Sequence, residues 1–536
     1  LVAKSKPFNE NPNYHPSTPL WVTRNPNFPI FQFCNIQMLK TQKIAQCFSP
    51  AAFIHDTEEN YQVIEKLILE EEIGGLTFFH SRHSAAANFE KRAEVLDVTG
   101  TFEKLIGLIN RYQAISKIPL LISIDGEYGL AMRVEKTPQY PFAISLGALK
   151  KDSETWVEEV GYRMGLDMKR SGIHLNLAPC ADVNTNPNNP VIGYRSFGNN
   201  PEKVAKLAFA AYSGMKKAGI SACLKHFPGH GDTATDSHLG LPILHKTKAE
   251  LEAEELLPFQ YGIDRGVEMI MVGHLAVPAL TGGRDIPASI SRELITDLLK
   301  GEMGFQGLVI SDALNMKAVA NLYPEPGELE WQAFHAGNDI LCFSDHVTDG
   351  IEKISQKASD EEVEAVFEKV MDLKKRLEVL ESKPIEVPAF DWESHSRLQK
   401  HLAENYVSVI SGEVNPAELQ ALAKAGKLGY REFFTANPSH FSQALELPFS
   451  PNDKVEKVIL AVFVPSHKPL NQFGMDQMVL DEIKDLANSR PCILIHFGNP
   501  LALKLLGNLS DFEVVICGYQ GFEEAQGVVA YGLFSE

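Results

Sequence analysis

The chain has 536 residues, of which 44% are hydrophobic and 22% charged, and a formal net charge of −19. That length exceeds one ordinary domain and predicts two. The composition is that of a globular protein. Basic runs are absent, so no nucleic-acid partner is expected. No apolar run reaches about 18 residues, so no membrane span is expected. The seven cysteines are odd in number, scattered and without a C-x-x-C, which reads as buried thiols, not a disulfide framework or a zinc site. The chain starts at Leu1 with no signal-like apolar core, and is expected to be a processed or trimmed form of something longer.

Residues 1–34 are rich in Pro and Asn and read as an extended arm. From Ile44 short apolar runs alternate with amphipathic stretches. The runs are Ile44–Phe53, Gly75–Phe79, Pro119–Ile124, Ile173–Ala178, Ile220–Leu224, Val267–Val272, Leu308–Ile310 and Asp339–Phe343. Continuous apolar strands separated by helices imply a parallel sheet covered on both faces. Eight such units imply an α/β fold of the (β/α)8 TIM-barrel type over residues 35–383. Among the intervening helices, Asp56–Glu72 puts Tyr61, Ile64, Leu67 and Ile68 on one face. Pro201–Ala218 starts on Pro and stops before Gly219, as helices prefer. Ser359 and Glu362 form a capping box that opens a helix running to Lys383-Pro384. Residues 384–393 read as a linker. From 394 to 536 the pattern restarts as a smaller α/β, sandwich-like domain, with a helix at Ser394–Val407, strands at Val458–Val464, Cys492–Phe497 and Glu513–Cys517, and helices at Met475–Ala487 and Leu501–Leu506. No catalytic cluster stands out in it, and His467 and His496 read as loop or strand-end residues.

The densest chemistry lies at Lys225-His226-Phe227-Pro228-Gly229-His230-Gly231-Asp232, continuing through Asp236-Ser237-His238. The run Ile220–Leu224 delivers Lys225 and His226 to a strand end, and a loop carries the rest. Titratable groups at the C-terminal ends of barrel strands point to a reaction site. Other strand ends offer Asp125 and Glu127 with Arg133, then Asp182 and Arg195, then His274, then Asp312. A rim of Asp, Arg, Lys and His suits a polyhydroxylated substrate, because unpaired polar groups in such a site are costly. His226 and His230 have the spacing of a helical metal pair, but Pro228-Gly229 breaks that helix and the expected glutamate is missing, so no metal is expected. No phosphate-cradling glycine motif is present, so no nucleotide cofactor is expected. Asp312 follows the run Leu308–Ile310, and a strand end holds a carboxylate rigidly enough for attack. The competing reading is an Asp capping the next helix. Asp236 and His238 could pair in a tight turn, the acid orienting the imidazole, against a reading as two solvated loop residues.

The pattern K-H-F-P-G-H-G-D…D-S-H…L-P, together with S-D-A-L-N-M at 311–316, resembles glycoside hydrolase family 3. Within it the pattern resembles the β-N-acetylglucosaminidase branch typified by bacterial muropeptide-recycling enzymes. The resemblance covers Ile44 to Phe343, and more weakly the C-terminal layout. It implies Asp312 as nucleophile. It implies His238, paired to Asp236, as acid/base where most glycosidases use a second carboxylate. It implies Asp125, Arg133, Arg195, Lys225 and His226 as the residues that hold the terminal sugar. Asp125-x-Glu127-x-Gly129-x-x-x-Arg133 keeps the skeleton of the family's D-Q-E-G-G-R-x-x-R. It departs at Gly126, Tyr128 and Leu130-Ala131-Met132, and these departures bear on the outer subsite. The expectation is a retaining exo-β-N-acetylglucosaminidase that removes terminal β-linked GlcNAc from peptidoglycan-derived or chitin-derived fragments, without cofactor. A β-N-acetylglucosaminide phosphorylase and a non-catalytic cell-wall sugar-binding protein are the rivals. The cell envelope is expected over the cytoplasm, and the oligomeric state is left open.

Overall fold

The apolar runs between Ile44 and Phe343 become short parallel strands. The computed structural model describes residues 38–81, 99–234, 240–435, 438–445 and 455–535. The expected arm over 1–34 lies outside the described residues. Strands β1 (Phe48–Ser49), β2 (Ala51–His55), β3 (Gly75–Ser81), β4 (Leu121–Ile124), β5 (Leu175–Asn176), β6 (Ser221–Ala222), β7 (Leu224–Phe227), β8 (Met269–Val272), β9 (Leu308–Ser311) and β10 (Leu341–Cys342) follow in order. They pair as β2-β3-β4-β5-β6, β7-β8-β9 and β1-β10, all parallel. Hydrogen bonds also join these groups: Lys225 N–H to Pro179 O (3.2 Å), Ser311 N–H to Ile340 O (3.0 Å) and Thr77 N–H to Pro50 O (3.0 Å). Strands β4, β8 and β9 are buried along their whole length. That is why they read as unbroken apolar runs. The exceptions are small hydroxyl residues that satisfy one another: Ser49, Thr77 and Ser123 form a chain of bonds at 2.9 and 2.8 Å.

Several boundaries differ from expectation for local reasons. The first run opens as a helix, Lys40–Ala45, and its strand is split at Pro50, which has no N–H for a ladder. The run at Ile220 continues past Leu224 to Phe227, so Lys225 and His226 are themselves strand residues. The helix expected at 56–72 is Glu58–Lys66 followed by a wider turn, Leu67–Glu71, that stops where Glu72 turns left-handed (φ 60°). Pro201–Ala218 has the expected bounds, with Asn200 capping Lys203 N–H. The Ser359/Glu362 capping box is present, but its helix ends at Arg376 and not at Lys383-Pro384. The next helix starts at Trp392, inside the expected linker, because Asp391 caps it.

The C-terminal segment forms a five-stranded sheet from β11 (Ser408–Ser411), β12 (Leu428–Phe433), β13 (Lys457–Phe463), β14 (Cys492–Phe497) and β15 (Val514–Cys517). The order is β11-β15-β14-β13-β12, parallel except for β11. Strands β11 and β12 were not expected. Both are edges with polar or exposed positions, such as Val409 and Ile410 in β11, so they lack the apolar continuity of β13 to β15. The apolar core of the N-terminal sheets runs on into helix Trp392–Tyr406 through Leu398, Leu402, Ala403 and Tyr406. No helix among the described residues is long and apolar enough to cross a membrane. The six described cysteines are unpaired and buried.

At the N-terminal ends of the strands sits Lys374, fully buried, donating to Gln46 Oε1 (2.7 Å) and Pro119 O (2.9 Å). Burial pushes its ammonium down to about 7. Between about pH 7 and 10 the unfolded chain therefore binds a proton that the folded chain does not. The contribution of Lys374 to stability should therefore rise with pH through that window, by up to roughly 1.4 kcal/mol per pH unit. Urea midpoints at pH 7 and 9 test this. On going to pH 9 wild type should gain relative to Lys374→Met, which lacks this titration.

Candidate active site

Opposite that end, β4 leads directly to Asp125, which meets two cations. Lys225 Nζ lies 2.6 Å from its Oδ1, and Arg133 donates to Oδ2 at 2.7 Å and to the backbone carbonyl at 3.0 Å. Two residues on, Glu127 takes the other side of Lys225 at 2.8 Å and is gripped by Arg195 through Nε (2.9 Å) and Nη2 (2.6 Å). The Lys225 side chain is only 2% exposed, whereas that of Asp125 is 22% exposed. So the ammonium is sealed between the carboxylates while Asp125 keeps an open edge. Burial alone would raise both carboxyls. The charges of Lys225 and Arg133 hold Asp125 below its usual range, and those of Arg195 and Lys225 hold Glu127 well below its own. Lys225 is raised in turn, its two acids outweighing burial. Alternating donors and acceptors of this kind can each pair with a sugar hydroxyl, which both gives and accepts a hydrogen bond.

The glycine-rich loop after β7 is anchored to Asp182. Its Oδ2 meets His226 Nδ1 at 2.8 Å, and its Oδ1 accepts the N–H groups of His226 (3.2 Å) and His230 (2.7 Å). The bond pattern puts a proton on His226 Nδ1 and leaves Nε2 to accept from Arg195 at 3.3 Å. Burial would raise the Asp182 carboxyl, but the bonds from His226 and His230 hold it below the usual range. His230 is buried and pushed down to about 4. Its Nδ1 pairs with Thr233 Oγ1 at 2.6 Å. Gly231 is required by close approach, since a Cβ there would meet Val183 O at 1.8 Å. Gly229 adopts φ 128°, which favours glycine. Asn189 donates to the carbonyls of His230 (2.8 Å) and Gly231 (3.1 Å) and steadies the turn.

Asp312 follows β9 at the same end of the strands. Its N–H bonds Val272 O (3.0 Å), and its Oδ1 accepts Ala313 N–H (2.8 Å). His274, fully buried after β8, reaches Ala313 O through Nε2 (2.8 Å) and Ser289 through Nδ1 (2.7 Å), and so steadies the backbone beside Asp312. Asp236 and His238 lie outside the described residues. The structure thus brings Asp125, Arg133, Arg195, Lys225 and His226 into one bonded cluster and puts Asp312 at the end of β9, in the same sheet as Lys225 and His226. Cys180, Asp182 and His226 also place three metal-type ligand atoms within 4.8 Å of one another. The Asp182 oxygens are already taken by N–H donors and the Arg195 guanidinium lies alongside, so this group suits a hydrogen-bonded anchor better than a cation.

Residues 39–377 match the glycosyl hydrolase family 3 N terminal domain. The chain belongs to glycosyl hydrolase family 3. Beta-hexosaminidase A of Pseudoalteromonas piscicida is 35% identical over 290 residues, 52% of this chain and 46% of that protein. The chain thus spans about half the length of this relative. A beta-hexosaminidase of Neisseria meningitidis serogroup C (strain 053442) is 33% identical over 294 residues, 53% of this chain and 74% of that one. A structural likeness covers more of the chain than these matches. A glycoside hydrolase family 3 beta-N-acetylglucosaminidase structure from Paenibacillus sp. str. FPU-7 superposes with a TM-score of 0.72 over 93% of this chain and 97% of that one, at 24% identity.

Two members of the cluster had no assigned role in the sequence. Glu127 stood in the D-x-E pattern, and Asp182 was one rim acid among several. Their partners lie far along the chain, so spacing does not reveal the pairing. The cluster makes a prediction. Lys225→Met leaves Asp125 and Glu127 facing each other without their shared cation. Breaking a buried pair typically costs about 3–5 kcal/mol, and urea unfolding at pH 7 should show a loss of that order. Unchanged stability would mean that the cluster is solvated.

Proposed function

We propose that this chain is a retaining exo-β-N-acetylglucosaminidase, which removes terminal β-linked N-acetylglucosamine from peptidoglycan-derived or chitin-derived fragments. The observation that supports it most is the Asp125–Arg133–Glu127–Arg195–Lys225 cluster at the C-terminal strand ends, inside the span matched to family 3. The names of the relatives, beta-hexosaminidases, point the same way. In this reading Asp125, Arg133, Arg195, Lys225 and His226 hold the terminal sugar, and Asp312 attacks the anomeric carbon. His238, paired to Asp236, protonates the departing oxygen. The glycosyl–Asp312 ester is then cleaved by water whose proton His238 takes.

The layout behind this reading is two domains, a (β/α)8 barrel over about 35–383 and an α/β domain from about 394. The hydrogen bonds linking β6–β7, β9–β10 and β1–β2 to their neighbours support treating the three parallel groups as arcs of one barrel. The test of function is hydrolysis of an aryl β-N-acetylglucosaminide beside an aryl β-glucoside, each with and without phosphate. The expected result is preference for the former and free N-acetylglucosamine in both buffers. A phosphate-dependent sugar phosphate as product would favour the phosphorylase. Turnover of neither would favour a binding protein.

A further inference from the structure

The second sheet reaches the site through one ring. Phe142 is buried just before the short helix Ala143–Gly147. Its ring meets Tyr128 (centroids 4.9 Å), Tyr194 (4.8 Å) and His467 (4.4 Å). Tyr128 follows Glu127 and Tyr194 precedes Arg195, so Phe142 packs against the chain neighbours of both halves of that ion pair. His467 also contacts Tyr194 directly at 5.3 Å. It lies in the loop after β13, at the C-terminal edge of the parallel strands, where open α/β sheets present their working loops. The loop is held in place: buried Asn499 donates to His467 O at 2.8 Å. Phe142 is held from the same sheet edge, since Gln520 Oε1, beyond β15, accepts from Phe142 N–H and from the Ser145 hydroxyl, both at 2.8 Å. His467 Nδ1 is buried with no hydrogen-bond partner among the described residues. Burial lowers the pKa of the imidazole, so at pH 7 the ring is neutral and offers an aromatic face, not a charge.

We propose that His467 is a positioning residue for sugar recognition: its ring wedges Phe142 and Tyr194 and so fixes the Glu127–Arg195 pair against the terminal sugar. The inference rests on the reading that Arg195 holds that sugar. A loosened Arg195 weakens ground state and transition state alike, which raises KM and leaves kcat in place. An aromatic contact of this kind is worth up to about tenfold in an equilibrium.

The experiment compares wild type, His467→Ala and His467→Phe on an aryl β-N-acetylglucosaminide, with N-acetylglucosamine binding measured by calorimetry. The expected result is a KM and a Kd raised about tenfold in His467→Ala with kcat within about twofold, and near-wild-type values in His467→Phe, which keeps the ring. Unchanged KM and Kd in His467→Ala would overturn the proposal, as would a fall in kcat alone. Equal losses in both variants would overturn it as well, because a ring then would not suffice. If wild type binds N-acetylglucosamine but turns over no aryl glycoside, the activity reading fails and the Kd ratio still decides the role of His467. Wild type that binds none overturns both.

Discussion

Asp312→Asn should lower turnover of an aryl β-N-acetylglucosaminide by about 10⁴-fold or more, the scale on which a covalent nucleophile contributes. The substitution is nearly isosteric. The backbone bond from Asp312 N–H to Val272 O does not depend on the side chain, and an amide oxygen can still accept Ala313 N–H. The urea midpoint should therefore stay close to that of wild type while the rate collapses. In the proposed mechanism, what is lost is the negative charge that attacks the anomeric carbon and leaves as a carboxylate when water cleaves the ester. A slow-turnover fluorinated glycoside should label Asp312 in the wild type, as read by peptide mass spectrometry. Labelling at Asp125 or Glu127 would reject the assignment. Those two carboxylates are unsuited on physical grounds: each is paired with two cations, which ties up the lone pairs and lowers the basicity of a nucleophile.

His238→Ala should damage cleavage of a natural disaccharide by about 10²–10⁴-fold, the usual worth of general acid–base catalysis. A dinitrophenyl glycoside should be affected far less in its first step, because its leaving group departs without a proton. The second step still needs a base, so this variant should accumulate glycosyl-enzyme with the activated substrate, and azide should restore turnover. If Asp236 pairs with His238 as proposed, Asp236→Asn should give a smaller loss of the same kind, since the imidazolium then lacks a charged partner. Paired rate constants on the two substrates decide it. Equal losses on both without azide rescue would send the search for the acid/base elsewhere.

Much of the backbone was legible from short-range signals. Pro201–Ala218 could be read to the residue, because its start and stop depend on Asn200, Pro201 and Gly219, all in contact along the chain. The Ser359/Glu362 box was legible for the same reason. The buried strands β4, β8 and β9 announced themselves by unbroken apolar runs, whereas the edge strands β11 and β12 did not. The motif around Lys225 pointed to family 3 because a long run of constrained residues is rarely matched by chance.

The tertiary structure alone decided which charges meet. Lys225 and Asp125 are 100 positions apart, and nothing local tells Lys225 that its second partner is Glu127. Sequence also could not say that Asp182 ties the His226 and His230 amides together, or that Lys374 closes the far end of the strands as a buried amine. His467 read as a lone loop residue because its neighbours, Phe142 and Tyr194, lie more than 270 positions away along the chain, in segments that follow β4 and β5. Periodicity and caps are set within one or two turns of chain, so they are visible in order of sequence. Ion pairs and ring contacts are set by which strand ends the fold brings together, and that is decided only when the apolar faces have packed.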